Sequence, residues 1–564
     1  MSQSLQLQRV LALDCQATGA SPAHGDVIEL GWGMCSGGGL LEPPKARFIV
    51  PRTNRPVRRA VRELTGWSEA CLTEALDEHE AWRLLSDDIE REAALGAPLG
   101  SIIHFARFEL GFLHDLHQRL STGGDFPLDV VCLHAIASRL FPELPRRSIR
   151  ALSGYLGHAP EAVRRSSGHV QATAFIWREC LPLLDALGVS TWAALKLWLG
   201  ETNAGRRPER RKFPLDRARR LALPEQPGVY RFLRRSGDVL YVGKATSLRK
   251  RVLSHFKGRG PTTERALELL TQVHEVTYVV TASVLEAALL ECDEIHRLDP
   301  PYNVQFRTSQ TGAWFAAKDL SDSRDAPDST HRIGPLPSRR ALAALGALHA
   351  LLAKPTAQPK LQALALGVPP AFLPDEALFL EGWRAFVVRH FGGSSPIDFR
   401  RLQRQSRVLW LERGRTELEP PAEEPTAQTS VPEWDAARVL RRLERSLVQT
   451  GLLTRRARWL CLLAEATVAY SELEMHGARA LSISEARIRE CRDLTGVGDA
   501  TSLASRALCP LYQRQLGFDK AAYDRMRVLL TELHRVHDQG GEVLVCIGSR
   551  TLSDERLRRL LRDV

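Results

Sequence analysis

The cysteines of this chain are spaced in a way that excludes the usual zinc and disulfide frameworks. Ten cysteines are spread over 564 residues, and no two of them form a CxxC pair. Such a scatter is typical of buried thiols in a reducing compartment. The chain also lacks an apolar run close to the ~18 residues that suggest a membrane span. Its N-terminal segment has no basic stretch, and Asp14 interrupts its apolar run. We therefore expect a cytoplasmic protein with no secretory signal and no membrane partner.

The length and composition predict several folded domains. Hydrophobic residues make up 44% of the chain and charged residues 25%, a balance typical of globular proteins. A single core does not usually extend over 564 residues. Polar or proline-rich composition breaks occur at 200–214, 307–330 and 417–434, and we find no internal repeat. The predicted segments are 1–200, a basic linker 201–221, 222–310, 311–416, an acidic connector 417–434, and 435–564.

Basic charge is concentrated in one stretch. Lys and Arg exceed Asp and Glu by 11 over the whole chain, whereas residues 206–259 alone hold 17 basic and four acidic residues. A concentrated basic block is typical of phosphate-backbone binding, because neutralised phosphates release condensed counterions. For residues 206–212 alone, a solvated arginine-rich linker is an equally good interpretation. We expect DNA binding that weakens steeply with salt.

Residues 1–200 alternate strand-like and helix-like patterns, which is typical of an α/β fold. Within them, LALDCQATG (11–19), HFARFELGFL (104–113) and SGHVQATAFIW (167–177) resemble the three motifs of the DnaQ-like (DEDD) 3′–5′ exonucleases. The resemblance covers roughly residues 8–185 and implies a ribonuclease-H-like fold.

The set of acidic residues that this resemblance requires is incomplete. The family uses four carboxylates to hold two metal ions, and a histidine activates the water. Asp14 supplies the first carboxylate, but Gln16 stands where the family has glutamate, and Glu109 replaces an aspartate. An amide cannot offset the charge of two divalent cations. We therefore expect the two-metal site to be lost or badly weakened.

The third motif can be aligned in two ways, and both lack a carboxylate. In one, His169 takes the aspartate position and Arg164 the general-base position; in the other, His169 is the general base and Ala174 follows five residues later. We predict a domain that binds DNA or a partner without hydrolysis, and we expect no exonuclease activity.

A β-hairpin and a basic helix are predicted in the central region. GVYRFL and DVLYVG alternate like paired strands, with RRSGD as the turn. Alternation lets the hydroxyls of Tyr230 and Tyr241 converge on one face. In SLRKRVLSHF, Arg251 and His255 are four residues apart on one helical face.

This segment resembles a GIY-YIG nuclease domain, most closely that of the UvrC and Cho excision-repair proteins. Gly-Val-Tyr, Tyr-Val-Gly, Arg251, an acidic helix and PPYN occur in the family's order between about 222 and 310. In LEAALLECDEIHRLDPPYNVQF, an apolar stripe predicts a helix whose edge carries Glu291.

The resemblance implies roles for individual residues. Glu291 is the implied ligand of one Mg²⁺ or Mn²⁺ ion, since it stands twelve residues before Asn303; Glu286 is expected at the surface. Tyr230 is the implied general base, and Tyr241 and Arg251 the implied contacts of the scissile phosphate. The remaining residues of the predicted phosphate- and DNA-binding set are Lys244, Arg249, Lys250, His255 and Asn303. His255 stands where the closest relatives have tyrosine.

The region after the nuclease segment is less informative. Residues 331–352 resemble the segment that follows the nuclease domain in UvrC, but the UvrC cysteine cluster is absent, so no iron–sulfur cluster is expected. We also find no second nuclease domain, so one incision per binding event is expected. Residues 435–564 predict a mixed α+β domain, in which LTGVG (494–498) resembles a helix-hairpin-helix turn, although a helix-capping turn is the better interpretation.

Three hypotheses of function follow. The favoured one is a metal-dependent endonuclease that nicks damaged or distorted duplex DNA, as in the 3′-side incision of excision repair, with damage-recognition proteins as partners. The others are a bifunctional exonuclease–endonuclease and a non-catalytic DNA-binding adaptor.

Overall fold

The computed structural model describes most of the chain. The residues described are 3–53, 56–93, 99–121, 123–158, 164–201, 212–257, 263–306, 312–320, 322–353, 358–393, 398–413, 433–473, 475–504, 515 and 518–562. Residues 202–211 of the predicted basic linker and 417–432 of the acidic connector lie outside these ranges.

The chain divides into two units. The first comprises Met1–Gln226, Tyr230–Gly243 and Ser247–Val279, and the second Pro227–Val229, Lys244–Thr246 and Val280–Val564. The division passes through the predicted nuclease segment.

A mixed sheet forms the centre of residues 1–200. Its order is β3-β2-β1-β5-β6, and β4 also pairs with β2. Strand β1 is antiparallel to β2 and parallel to β5, and β5 is parallel to β6. The strands are β1 (Val10–Ala17), β2 (Val27–Ser36), β3 (Gly39–Leu40), β4 (Lys45–Phe48), β5 (Leu99–Ile103) and β6 (Leu128–Cys132). The helices are α1 (Arg59–Thr65), α2 (Glu78–Glu92), α3 (Ala106–Leu120), α4 (Leu133–Leu140), α5 (Ile149–Leu156), α6 (Ser166–Asp185) and α7 (Trp192–Gly200), with a 3₁₀ helix at Glu69–Thr73.

Strand β1 is buried on both faces, as expected for a central strand of an α/β sheet. Val10 and Ala12 pack in the same core as Trp177 of α6, whereas Leu11 and Leu13 pack in the core that contains α3. The predicted strands and helices of this region, and its α/β class, are confirmed.

The predicted hairpin of the nuclease segment is also confirmed. β7 (Gly228–Leu233), β8 (Val239–Ala245) and β9 (Glu275–Val280) form a three-stranded sheet with β7 in the middle. Gly237 closes the hairpin turn at φ +91°, a conformation that glycine adopts without strain. The helices of this part are α8 (Arg217–Leu221), α9 (Leu248–Phe256) and α10 (Glu264–Gln272). Helix α10 packs against α5, and Ser148 donates a hydrogen bond to Glu268 at 3.0 Å.

The second unit contains two further sheets and a group of helices. A three-stranded sheet has the order β11-β10-β12, and a five-stranded antiparallel sheet the order β15-β14-β13-β16-β17. The strands are β10 (Trp314–Ala317), β11 (Ser323–Arg324), β12 (His331–Leu336), β13 (Ala466–Ser471), β14 (Ala478–Ser484), β15 (Arg487–Leu494), β16 (Glu542–Ile547) and β17 (Arg550–Thr551). The helices are α11 (Val284–Leu298), α12 (Ala343–Ala353), α13 (Pro359–Leu366), α14 (Glu376–Phe391), α15 (Phe399–Arg413), α16 (Ala436–Leu463), α17 (Lys520–Asp538) and α18 (Asp554–Arg562), with 3₁₀ helices at Pro370–Phe372 and Val497–Ser502.

The C-terminal region is α+β, as predicted. The segment ARWLCLLAEATVAYSE, open between two interpretations in the sequence, is the end of α16 followed by β13, which pairs with β14. LTGVG begins at the last residue of β15 and runs into the 3₁₀ helix Val497–Ser502. It is therefore not flanked by two α-helices, as a helix-hairpin-helix requires. Six of the nine described cysteines are buried, which agrees with scattered structural thiols. None of the helices in the described ranges combines the length and apolar character of a membrane-spanning segment.

Candidate active site

In the first unit, the two tyrosines of the hairpin converge as predicted. The ring centroids of Tyr230 and Tyr241 are 6.1 Å apart, and Tyr230 is fully buried. A Cβ atom on Gly243 would lie 2.5 Å from the Tyr230 hydroxyl. The glycine of the Tyr-Val-Gly motif is therefore required because the Tyr230 phenol passes directly over its backbone.

Helix α9 places Arg251 and His255 against these phenols. Ser247 caps the helix by accepting a hydrogen bond from the Lys250 backbone amide, so its start is fixed. Nε2 of His255 is 2.6 Å from the Tyr230 hydroxyl. Burial, and then the positive charge of Arg251, lower the pKa of His255 to about 4. His255 is therefore a neutral imidazole at neutral pH, able to exchange a proton with Tyr230.

The Arg251 guanidinium contacts both phenols. Burial opposes its charge, but hydrogen bonding and electrostatic interaction with Tyr230 and Tyr241 raise the Arg251 pKa above its ordinary value. The cation is thus held beside the tyrosine pair, where it can stabilise negative charge.

The neighbouring basic residues are placed differently from one another. Lys250 is exposed, whereas Arg249 donates to the Leu223 carbonyl at 2.7 Å and pairs with Glu225 at 2.9 Å. Arg249 therefore ties α9 to the segment before the hairpin, and its DNA contact stays a prediction.

In the second unit, Glu291 lies half-buried on α11. Its Oε1 atom accepts a hydrogen bond from the Lys244 backbone amide at 2.9 Å, which orients the carboxylate. Glu291 lines a cavity of about 300 Å³. The ammonium group of Lys244 forms an ion pair with Glu532. Asn303, a member of the predicted phosphate- and DNA-binding set, is 5% exposed.

Glu286 is not at the surface, so that expectation was wrong. Its carboxylate accepts hydrogen bonds from Arg479 at 2.7 Å and from the Tyr470 hydroxyl at 3.2 Å. Only 15% of its side chain is exposed. The sequence gives no sign of this, because both partners are more than 180 residues away.

The four residues of the exonuclease-like motifs line one cavity of about 360 Å³ in the first unit. Oδ1 of Asp14 is 2.8 Å from Nδ1 of His169, and Gln16 donates to the Arg164 carbonyl at 2.6 Å. Glu109 accepts a hydrogen bond from the Cys15 amide at 2.8 Å. Burial, and then the nearby charge of Asp14, raise the Glu109 pKa well above its ordinary value.

These donors do not fit a pair of divalent metal ions. Of the four motif residues only Asp14 and Glu109 carry a carboxyl group, and burial of Glu109 favours its neutral form. Gln16 is an amide held by the Arg164 carbonyl, so the negative charge of this set does not offset two divalent cations. Across the described ranges, no group of three His, Cys, Asp or Glu side chains is arranged to hold a metal ion. The degenerate exonuclease site stays a prediction.

The sequence motifs did not indicate a buried ion pair that lies beside this cavity. Glu29, 1% exposed on β2, accepts hydrogen bonds from Arg165 at 2.7 Å and from the Ser166 amide at 3.1 Å, and so holds the start of α6. The only sign of this ion pair in the sequence is Glu29 itself, a single acidic residue within the apolar strand β2.

Comparison with known proteins identifies the nuclease segment. Residues 226–304 match the UvrC-like GIY-YIG domain. The UvrABC system protein C of Nitrosomonas eutropha is 41% identical over 124 residues, which are 21% of this chain and 20% of that protein. A Mycobacterium tuberculosis protein, named provisionally as a bifunctional exonuclease/endonuclease, is 29% identical over 253 residues, 44% of this chain and 38% of its own length. This chain therefore spans well under half the length of these relatives.

Among solved structures, the N-terminal endonuclease domain of Thermotoga maritima UvrC, bound to magnesium, is 34% identical. The match covers 16% of this chain and 94% of that domain, with a TM-score of 0.15. The sequence match therefore places a UvrC-like GIY-YIG domain at residues 226–304, preceded in the sequence by an α/β region with a mixed central sheet.

Proposed function

We propose that this protein is a metal-dependent DNA endonuclease that makes single-strand incisions, like the 3′-side incision nuclease of the UvrC/Cho type. The observation that carries the proposal is the contact of the Tyr230 hydroxyl with His255, beside Arg251 and Tyr241. Two phenols packed over the Gly243 backbone, with an imidazole and a guanidinium in contact with them, suit proton transfer and phosphate binding, which an ordinary hairpin core does not need.

Each side chain of the first unit has a distinct role in this proposal. Tyr230 acts as the general base for the attacking water, and the neutral His255 receives the phenol proton. Arg251 and Tyr241 bind the scissile phosphate and stabilise the charge that develops on it.

Glu291 is the proposed ligand of a single Mg²⁺ or Mn²⁺ ion. A half-buried carboxylate with one oxygen oriented by a backbone amide and lining a solvent cavity suits a hard cation that retains several of its waters. When bound, such an ion supplies Lewis-acid stabilisation of the reacting phosphate. The Lys244 backbone positions Glu291, while its ammonium group is paired with Glu532 at the same cavity.

The exonuclease-like region is proposed to bind DNA or a protein partner without hydrolysis. The engaged side chains of Asp14 and Gln16 and the raised pKa of Glu109 support this role. The second candidate, a bifunctional exonuclease–endonuclease, is favoured only by the name of the mycobacterial relative.

Incubation with Mg²⁺ or Mn²⁺ and a lesion-bearing duplex tests the proposal. We expect Glu291→Ala to reduce nicking by more than about 100-fold, because transition-state stabilisation at the phosphate is lost. Asp14→Ala should leave nicking nearly unchanged, and thermal melting should show both variants folded. Nicking that persists in Glu291→Ala would contradict the role of Glu291 as metal ligand, and a wild-type chain that does not nick would contradict the endonuclease proposal. Shortening from the 3′ end that disappears in Asp14→Ala would instead establish the bifunctional alternative.

A further inference from the structure

The five-stranded sheet of the second unit has a long, exposed strand at one edge. Within the described ranges, β14 is the only strand that pairs with β15, so the outer side of β15 carries backbone N–H and C=O groups that no strand has taken up. Six of its eight residues are exposed, and none is buried. The strand at the opposite edge, β17, has two residues. Short edge strands resist pairing with another chain, whereas a long exposed one is a template for it.

The regular part of this edge is short and charged. A β-bulge interrupts β15 between Ile488 and Glu490. From Glu490 to Leu494 the pairing with β14 is regular, and the first four of these residues, Glu-Cys-Arg-Asp, are exposed. Charged side chains usually protect an edge strand from other chains. Whether they do so here depends on which charges meet when a second strand is added.

Two copies of β15 can pair antiparallel in only a few registers. Opposite residues in an antiparallel ladder alternate between hydrogen-bonded and non-hydrogen-bonded pairs, so a two-fold axis between identical strands must pass between a residue and its own copy. An axis at Glu490, Arg492 or Asp493 places two like charges directly opposite each other, which is destabilising. Cys491 is the uncharged member of this exposed stretch. The charges therefore oppose self-pairing in each register centred here except the one at Cys491.

In the register centred on Cys491, the charges are complementary. Glu490 of each copy lies opposite Arg492 of the other, so two oppositely charged pairs flank the Cys491 pair. Within one chain, Arg492 already donates a hydrogen bond to Glu490, and about half of each side chain is exposed. That contact persists in the pairing, because the four side chains form a ring of alternating sign. Exposed ion pairs also rearrange at little cost.

We propose that β15 is a dimerisation surface, on which a second copy of this chain adds its own β15 in antiparallel register with Cys491 at the two-fold axis. The two five-stranded sheets then form one continuous sheet. The occupant is a second copy because the charge pattern complements its own reverse. The inference does not rest on the proposed endonuclease function, since no residue of β15 lines the Glu291 cavity.

Charge exchange in the full chain tests the surface, with the dimer dissociation constant measured by sedimentation velocity. Glu490→Arg and Arg492→Glu each place like charges opposite each other at two symmetric positions, so each should raise this constant by about tenfold or more. The double variant carrying both substitutions exchanges the two charges and restores the complementarity. Its dissociation constant should return to within about threefold of the wild-type value.

An exposed glutamate elsewhere in the same sheet provides the control. Glu542→Arg makes the same change of charge on β16, which is three strands from β15. It should leave the dissociation constant unchanged. Thermal melting should show all variants folded, because each substitution is at an exposed position.

Disulfide cross-linking tests the register separately. Opposite residues of antiparallel strands have Cα atoms about 4.5–5.5 Å apart, a separation that a disulfide can bridge. Diamide, which accepts two electrons and two protons from a pair of thiols, should link the wild-type dimer, and Cys491→Ser should abolish the link. The yield should fall in Glu490→Arg and recover in the double variant, which random collision of thiols does not predict.

A wild-type chain that sediments as a monomer at its highest soluble concentration would overturn the inference. A dimer that Glu490→Arg leaves intact would also overturn it, because assembly would then use another surface. A double variant that dimerises as weakly as either single variant would overturn the register centred on Cys491, and with it the proposal.

Discussion

At the scale of single residues, the most informative contact is that of His255 with the Tyr230 hydroxyl. The sequence placed this histidine on the same helical face as Arg251 but gave no indication of its partner. The structure supplies the partner, at 2.6 Å, and a reason for the neutral ring, since burial and Arg251 both disfavour the imidazolium. His255 is then positioned to hold the phenol and to accept its proton.

This role predicts an unusual pH dependence. Because the His255 pKa lies near 4, the neutral form persists from high pH down to about pH 4 and is lost only below it. Nicking that requires neutral His255 should therefore not decline near pH 6.5, the ordinary histidine value. The measurement is the pH profile of kcat/KM between pH 4 and 8.

Two substitutions separate proton acceptance from packing. His255→Ala should lower kcat by about 100-fold, within the usual range for a general base. His255→Tyr should retain much more activity and change the acid limb of the profile, because a phenol can also hydrogen-bond Tyr230. A profile that falls at pH 6.5 in the wild type but not in His255→Tyr would show that His255 titrates near its ordinary value, contrary to the lowered pKa.

At the scale of secondary-structure elements, α11 connects the nuclease segment to the C-terminal region. Its predicted apolar stripe is buried, and Leu285 and Leu289 belong to the same core as Val468 and Leu533. Glu286 at its N-terminal turn is held by Arg479 and Tyr470. One face of the helix thus packs in the C-terminal core, while its edge presents Glu291 to the cavity.

The Glu286 contacts predict a structural effect. Glu286→Gln keeps the shape of the side chain but removes the charge that pairs with Arg479, so it should destabilise the protein by about 1–3 kcal/mol. Urea unfolding measures the change. Glu381→Gln, at an exposed position on α14, is the matched control and should be close to neutral. Equal midpoints for the two variants would show that the Glu286 contacts do not stabilise the fold.

The sequence predicts a helix or strand correctly wherever the pattern that indicates it lies within a short segment. The period-two hairpin, the spacing of Arg251 and His255, and the apolar stripe of α11 all lie within short segments, and the structure confirms them. The contribution of α17 to the Glu291 cavity could not be predicted, because Arg527 and Glu532, which line that cavity, are more than 200 residues from Glu291 in sequence. A lone arginine or glutamate on an amphipathic helix carries no sign of such long-range pairing.

At the scale of the whole molecule, the C-terminal region shares its hydrophobic core with the nuclease helix. The core that contains Leu285 and Leu289 is completed by strands of the five-stranded sheet and by α17. A separate core, built by α12 to α16, contains Leu402 but no residue of α11. Two cores of one unit therefore differ in whether they support the helix that carries Glu291.

This difference predicts distinct effects of two otherwise equal substitutions. Leu533 and Leu402 are both fully buried, so changing either to alanine should destabilise its core by about 2–5 kcal/mol. Only Leu533→Ala removes packing from the core of α11, so only this variant should increase amide exchange in Val284–Leu298 under native conditions. Hydrogen–deuterium exchange with mass spectrometry of peptides from α11 measures the effect, and peptides from α14 serve as the reciprocal control. Equal acceleration of α11 exchange in both variants would mean that the two cores open together, and that α11 does not depend specifically on the C-terminal sheet and α17.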